Sequence, residues 1–164
     1  FMTIERVAKK QQDFKDKILL TPIGRCHINS AFNIFKENYP EIELSEFIKF
    51  FGEISPSKIQ QAIIHKKNTQ DIIVARSVND YLHGLYIFNG TPDKTLNVTH
   101  IIIPGPIARQ RILKLFIEHM IGLGLDLKCI NIKILCLNEN DWRALFLQEA
   151  GAQKINPNCL QINL

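Results

Sequence analysis

The chain has 164 residues, 46% of them apolar and 22% charged, with a formal net charge of +4. That is enough for one domain spanning 1–164 with a full core, and too apolar for a disordered chain. The mild, dispersed positive charge suits an acidic or phosphorylated small ligand and argues against nucleic-acid binding.

In chain order, Thr3–Val7 fits a short strand, and the polar stretch Ala8–Lys17 a frayed helix or loop. Ile18-Leu19-Leu20, stopped by Thr21-Pro22, fits a strand or a buried turn equally. Asn29 or Ser30 can cap a helix with Ala31, Phe32, Ile34 and Phe35 inward, ending before Pro40. A short helix is expected over Ser45–Phe51, with Phe47, Ile48, Phe50 and Phe51 apolar. Another starts at Ser55-Pro56 and runs through Ile59, Ala62 and Ile63. Asp71–Phe88 reads as a hairpin turning at Asn79-Asp80.

The central stretch is Leu96–Leu125, LNVTHIIIPGPIARQRILKLFIEHMIGLGL. It predicts a strand to Ile103 buried on both faces, a basic Pro/Gly turn, and an amphipathic helix over about Arg109–Ile121. Gly122 and Gly124 are expected to stop that helix. A helix start after a basic turn is a common anion site, because its first N–H groups are unpaired. Ile130, Ile132, Ile134 and Cys136 then alternate as a strand. Trp142–Ala150 reads as a helix capped by Asn140 or Asp141 and ended by Gly151. Cys159–Leu164 is a last strand with Leu160, Ile162 and Leu164 on one face.

Cys26, Cys129, Cys136 and Cys159 have neither zinc-type spacing nor a dense disulfide pattern, so reduced thiols and a cytoplasmic setting are expected. No run of about twenty apolar residues predicts a membrane span. No signal peptide is visible, and Phe1 before Met2 reads as an added residue. His65 and His119 read as exposed helix positions, and Cys26-His27 is too short a pattern for a metal site.

The element order resembles the GNAT N-acetyltransferase superfamily, most closely over residues 70–164. Gly84 in His83-Gly84-Leu85 is similar to the glycine of that family's third strand. Thr99-His100-Ile101-Ile102-Ile103 resembles its fourth strand. Ala144–Ala152, ALFLQEAGA, resembles its later helix with the Gly-Phe end. The resemblance implies an α/β fold in a GNAT-like three-layer arrangement, with a mixed, mostly antiparallel central sheet flanked by helices. It also implies acetyl-CoA, or another acyl-CoA, as cosubstrate and a small-molecule or protein amine as acceptor. A homodimer stays open, and neither nucleic acid nor membrane is expected as a partner.

In the family, the turn after the fourth strand has the form Arg/Gln-x-x-Gly-x-Gly/Ala and holds pyrophosphate on backbone N–H groups. The matching slots here are Ala108, Arg109, Gln110, Arg111, Ile112 and Leu113, with Arg111 and Leu113 where glycines stand. Weak binding, arginine side chains replacing backbone contacts, and loss of acyl-CoA binding are all compatible with those slots. Arg109 and Arg111, with Lys114, are the phosphate candidates, because a guanidinium can fork onto phosphate oxygens. Ile101, Ile102 and Ile103 would lie along the acyl-CoA, and Asn140 approximates the asparagine before the later helix. Leu147 takes the place of a proton-donating tyrosine, and Thr99 that of a strand carboxylate.

His100 is the candidate catalytic base, acting on an ammonium directly or through water; the alternative is a histidine packed at core or surface. The expected activity is acetyl-CoA-dependent N-acylation of a primary amine by direct attack. The alternative from another class is an inactive GNAT-like domain that binds a partner protein or senses CoA.

Overall fold

The computed structural model describes residues 17–51, 69–106, 108–135 and 141–164. Its elements are β1 (Leu19–Pro22), α1 (Ile28–Asn38), α2 (Leu44–Phe51), β2 (Thr69–Arg76), β3 (Leu82–Gly90) and β4 (Thr95–Ile102). There follow α3 (Arg109–Asp126), β5 (Asn131–Leu135), α4 (Trp142–Glu149), β6 (Gln153–Asn156) and β7 (Cys159–Asn163). The expected strand at Thr3–Val7 and helix after Ser55 lie outside the described residues, as do His65, Cys136 and Asn140.

One seven-stranded sheet runs β1-β2-β3-β4-β5-β7-β6. Only β4 and β5 are parallel; every other neighbouring pair is antiparallel. Alternation along β2 and β3 splits the core between two faces. Ile73, Ala75, Tyr86 and Phe88 pack with α3 residues Ile112, Leu113, Phe116 and Met120 on one face. Ile72, Val74, Leu85 and Ile87 pack with Ala31, Ile34, Phe35 and Phe47 of α1 and α2 on the other. The expected α/β arrangement, a mixed and mostly antiparallel sheet between helices, is the observed one.

Several boundaries differ from the sequence reading. Helix α1 begins at Ile28 after His27 rather than at Asn29 or Ser30, because a short 3-10 turn over Arg25–His27 feeds it. The hairpin loop is longer than Asn79-Asp80. Residues 77–81 close it through Ser77 N–H to the Tyr81 carbonyl at 2.9 Å, with Asp80 left-handed at φ 66°. Helix α3 runs through Gly122 and Gly124 to Asp126. Gly124 stays helical because it is the point of closest packing: a Cβ there would stand 2.6 Å from Leu164 Cδ1. Strand β6, exposed along its length, had no alternating signal in the sequence. Gly151 ends α4 as expected, at φ 103°.

Candidate active site

Strand β4 carries the site. Its pairing with β3 sets Ile87 opposite His100 and Phe88 opposite Val98, which leaves Thr99 as an extra residue. Such a bulge bends the strand and re-aims its side chains. On the other edge, β4 pairs with β5 only from Thr95–Asn131 to Val98–Ile134, although β4 continues to Ile102. Among the described residues, the edge of β4 beyond Val98 has no strand partner. This close approach of β3 to β4 needs a glycine: a Cβ on Gly84 would lie 2.9 Å from the Ile102 carbonyl oxygen.

The bulge turns His100 toward α1. Its ring lies 5.4 Å from the rings of both Phe35 and Tyr39. These three residues line a cleft of about 690 Å³ with Pro40, Glu41 and Glu46. Glu41 and Glu46, both exposed, add two carboxylates to its lining. His100 Nδ1 is 2.9 Å from Thr99 Oγ1, and that hydroxyl donates to the Ile87 carbonyl at 3.3 Å. A hydroxyl has one proton to give, so it accepts from Nδ1–H and the lone pair of neutral His100 is on Nε2. Burial, and secondarily the charge of Arg143, hold the imidazole below its ordinary pKa.

Helix α3 starts beyond the C-terminal end of β4. Its N-cap is Ala108, whose side chain makes no capping hydrogen bond. Arg109 lies over the Trp142 ring at 4.7 Å, joining the starts of α3 and α4 through a cation–π contact. Gln110, Arg111 and Lys114 are exposed. Ile112 and Leu113 are core side chains, and the Ile112 N–H is already bonded to the Ala108 carbonyl at 3.0 Å. The Ile112 N–H is thus not offered to an anion. Ile101 and Ile102 send their side chains into the core, so only backbone atoms of β4 can meet a ligand there; Ile103 is half-buried.

Sequence reasoning missed three features. Arg143, read only as part of a helix, donates from Nη1 to the Ile101 carbonyl on the open edge of β4 and is forked onto Asp141. Asp141 caps α4 through the Arg143 N–H at 3.1 Å. A basic residue two positions after a helix cap is a pattern the sequence offers, but it gives no hint of the strand it reaches. Glu41 and Glu46, to which sequence reasoning gave no role, line the cleft with Tyr39. His119, expected to be exposed, is half-buried and 2.5 Å from the Tyr86 hydroxyl, because Tyr86 reaches it across the face of α3. Burial lowers its pKa.

Ligand atoms of Cys26, His27 and Asp80 lie within 4.8 Å of one another. His27 is nonetheless fully engaged: Nδ1 accepts from the Gly24 N–H and Nε2 faces Asp80 Oδ1, both at 3.0 Å. That buried ring fastens the 3-10 turn to the β2–β3 loop, a structural role.

The sequence matches no family model and no curated protein. Solved structures do match the fold. A GCN5-related N-acetyltransferase from Kribbella flavida superposes with a TM-score of 0.70 at 13% identity, over 90% of this chain and 98% of that one. The spermidine/spermine N-acetyltransferase SpeG from Vibrio cholerae gives 0.65 at 13%, over 90% and 95%. The PaiA N-acetyltransferase from Thermoplasma acidophilum, in complex with coenzyme A, gives 0.61 at 7%, over 90% and 99%. With its bulged fourth strand and the β4–β5 pair that parts after Val98, the chain has the fold of the GCN5-related N-acetyltransferases, the GNAT fold.

Proposed function

We propose that the protein is an acyl-CoA-dependent N-acyltransferase, with acetyl-CoA as the expected donor and a cationic primary amine as acceptor. One observation carries this reading: among the described residues, β4 has an edge without a strand partner after Val98, it carries the His100 that lines the cleft, and helix α3 starts shortly beyond its C-terminal end. Backbone groups of Ile101 to Ile103 suit the amides of an extended donor, as a sheet edge suits an added strand. The first turn of α3, flanked by Arg109, Arg111 and Lys114, suits its phosphates, with Gln110 beside them. Among the matched folds, the PaiA protein was solved with coenzyme A. Asn140 remains a further candidate contact and lies outside the described residues.

On the acceptor side, the cleft offers Glu41 and Glu46 to a cation, and Phe35 and Tyr39 as flat walls. His100 Nε2 takes a proton from the ammonium, leaving a neutral nitrogen that attacks the thioester carbonyl. Being held neutral by burial keeps His100 competent near neutral pH. Backbone N–H groups on the open strand edge stabilise the oxyanion that forms.

The test is thiol release from acetyl-CoA with a panel of diamines and polyamines, the SpeG protein's named substrates among them. Turnover with at least one amine, reduced by Glu41→Gln or Glu46→Gln, is expected. Absence of turnover together with absence of CoA binding would favour a binding domain without acyl transfer.

A further inference from the structure

Acyl transfer from a thioester expels a thiolate. A thiol of ordinary pKa, about 8.5, leaves poorly at neutral pH unless a proton donor or a cation meets it. Leu147 of α4, fully buried and apolar, supplies neither. One helical turn earlier, and so on the same face of α4, stands Arg143.

The setting of Arg143 is unusual for an arginine. Its side chain is 12% exposed and that of its partner Asp141 5%. Nε stands 2.9 and 3.1 Å from the two Asp141 oxygens, and Nη2 also bonds the carboxylate. This two-pronged contact fixes the plane of the guanidinium. Nη1 is thereby delivered to the Ile101 carbonyl, on the stretch of β4 that has no strand partner after Val98 among the described residues. Desolvating such a pair costs about as much as the pair returns, so stability alone is a weak reason to keep it there. The charge is also close enough to His100 to disfavour protonation of the imidazole. Among the described residues, a fixed cation paired with Asp141, a neutral base and a strand edge without a strand partner therefore share one end of the sheet.

We propose that Arg143 is the catalytic cation that receives the leaving thiolate, with Asp141 as its positioning residue. The proposal rests on the acyl-CoA reading above. In the step, the amine nitrogen forms a bond to the acyl carbon and the carbon–sulfur bond breaks. Its electron pair stays on sulfur; of the two protons the ammonium sheds on becoming an amide nitrogen, one goes to His100 and the second to water as the intermediate collapses, and the thiolate leaves paired with Arg143. It takes up a proton from water after release, so no oxidant or reductant enters.

The test reads the thiol directly. Ultraviolet thiolate absorbance of CoA bound to the intact protein is titrated against pH, with desulfo-CoA as the control ligand. The wild-type protein is expected to lower the thiol pKa by about one unit or more, a tenfold gain in thiolate near neutrality. Arg143→Gln should abolish that shift in the CoA complex while still binding desulfo-CoA, and Arg143→Lys should keep part of it. The double variant Asp141→Asn with Arg143→Gln leaves no unpaired buried carboxylate, so a melting curve on it guards against simple misfolding. An unshifted thiol in the wild type, or the same shift in Arg143→Gln, overturns the proposal and leaves the acyl-CoA reading standing. Tighter binding of both ligands by Arg143→Gln also overturns it, since the side chain would then obstruct the strand edge. Failure of the wild type to bind CoA at all removes the acyl-CoA reading and this inference with it.

Discussion

His100 and Thr99 are joined by a 2.9 Å contact between Nδ1 and Oγ1, made within the bulge of β4. Because the same hydroxyl donates to the Ile87 carbonyl, the contact sets the tautomer and leaves Nε2 as the basic atom. Thr99→Val keeps the shape of the bulge residue but removes the acceptor. We expect kcat to fall about 3- to 10-fold, the worth of one hydrogen bond, while Thr99→Ser stays near wild type. Nitrogen NMR of the imidazole checks the cause: the valine variant should show a mixed tautomer population, and an unchanged one would refute the assignment.

The pH profile of kcat/KM tests His100 itself. Burial keeps its pKa below the ordinary 6.5, so the acid limb should fall with a midpoint under that value. His100→Gln should lose about 100-fold in kcat and with it the acid limb, the scale of a general base. A retained acid limb in the variant would assign proton removal to another group.

The same burial links stability to pH. His83, His100 and His119 all have folded-state pKa values lowered chiefly by burial. As pH falls through 6.5, the unfolded chain takes up protons first, so stability is level above that pH and declines below it until the folded-state values are reached. Melting temperature should therefore drop between pH 7.5 and 5, less so in His119→Phe. A rise on acidification would contradict the sign.

Two glycines separate backbone from side-chain crowding. Gly84→Ala puts a Cβ 2.9 Å from the Ile102 carbonyl oxygen and 3.3 Å from Ile103 Cγ1, so strands must part. We expect a loss of about 1–3 kcal/mol, read by denaturant unfolding, and impaired donor binding along β4. Gly124→Ala meets only the end of the Leu164 side chain at 2.6 Å. That leucine can turn aside, and alanine favours the helix by about 1 kcal/mol, so the variant should lie near wild type. Equal losses in both would show that the two contacts are of one kind.

The architecture was legible where hydrophobic period and punctuation agreed. Ile101 and Ile102, Ile132 and Ile134, and the Ile112–Phe116–Met120 stripe all occupy the core positions their spacing predicts. Gly124 misled because its role is contact with Leu164, forty residues on in the chain, rather than helix termination. The site was less legible. His100 could be named as a candidate, but its orientation depends on the Thr99 bulge, which is a register shift between strands and leaves no composition signal. Arg143 acts on Ile101 across the fold, Tyr39 meets His100 only because α1 packs on that face of the sheet, and Glu41 and Glu46 share its cleft for the same reason.

The central claim is that the open edge of β4 and the first turn of α3 hold an acyl-CoA. Calorimetric titration of acetyl-CoA into the intact protein tests it most directly. The account predicts saturable binding at one site per chain, weakened several-fold by Arg109→Ala or Arg111→Ala, each of which removes a charge near the phosphates. An absence of binding by the wild-type protein, or binding indifferent to both substitutions, would contradict it.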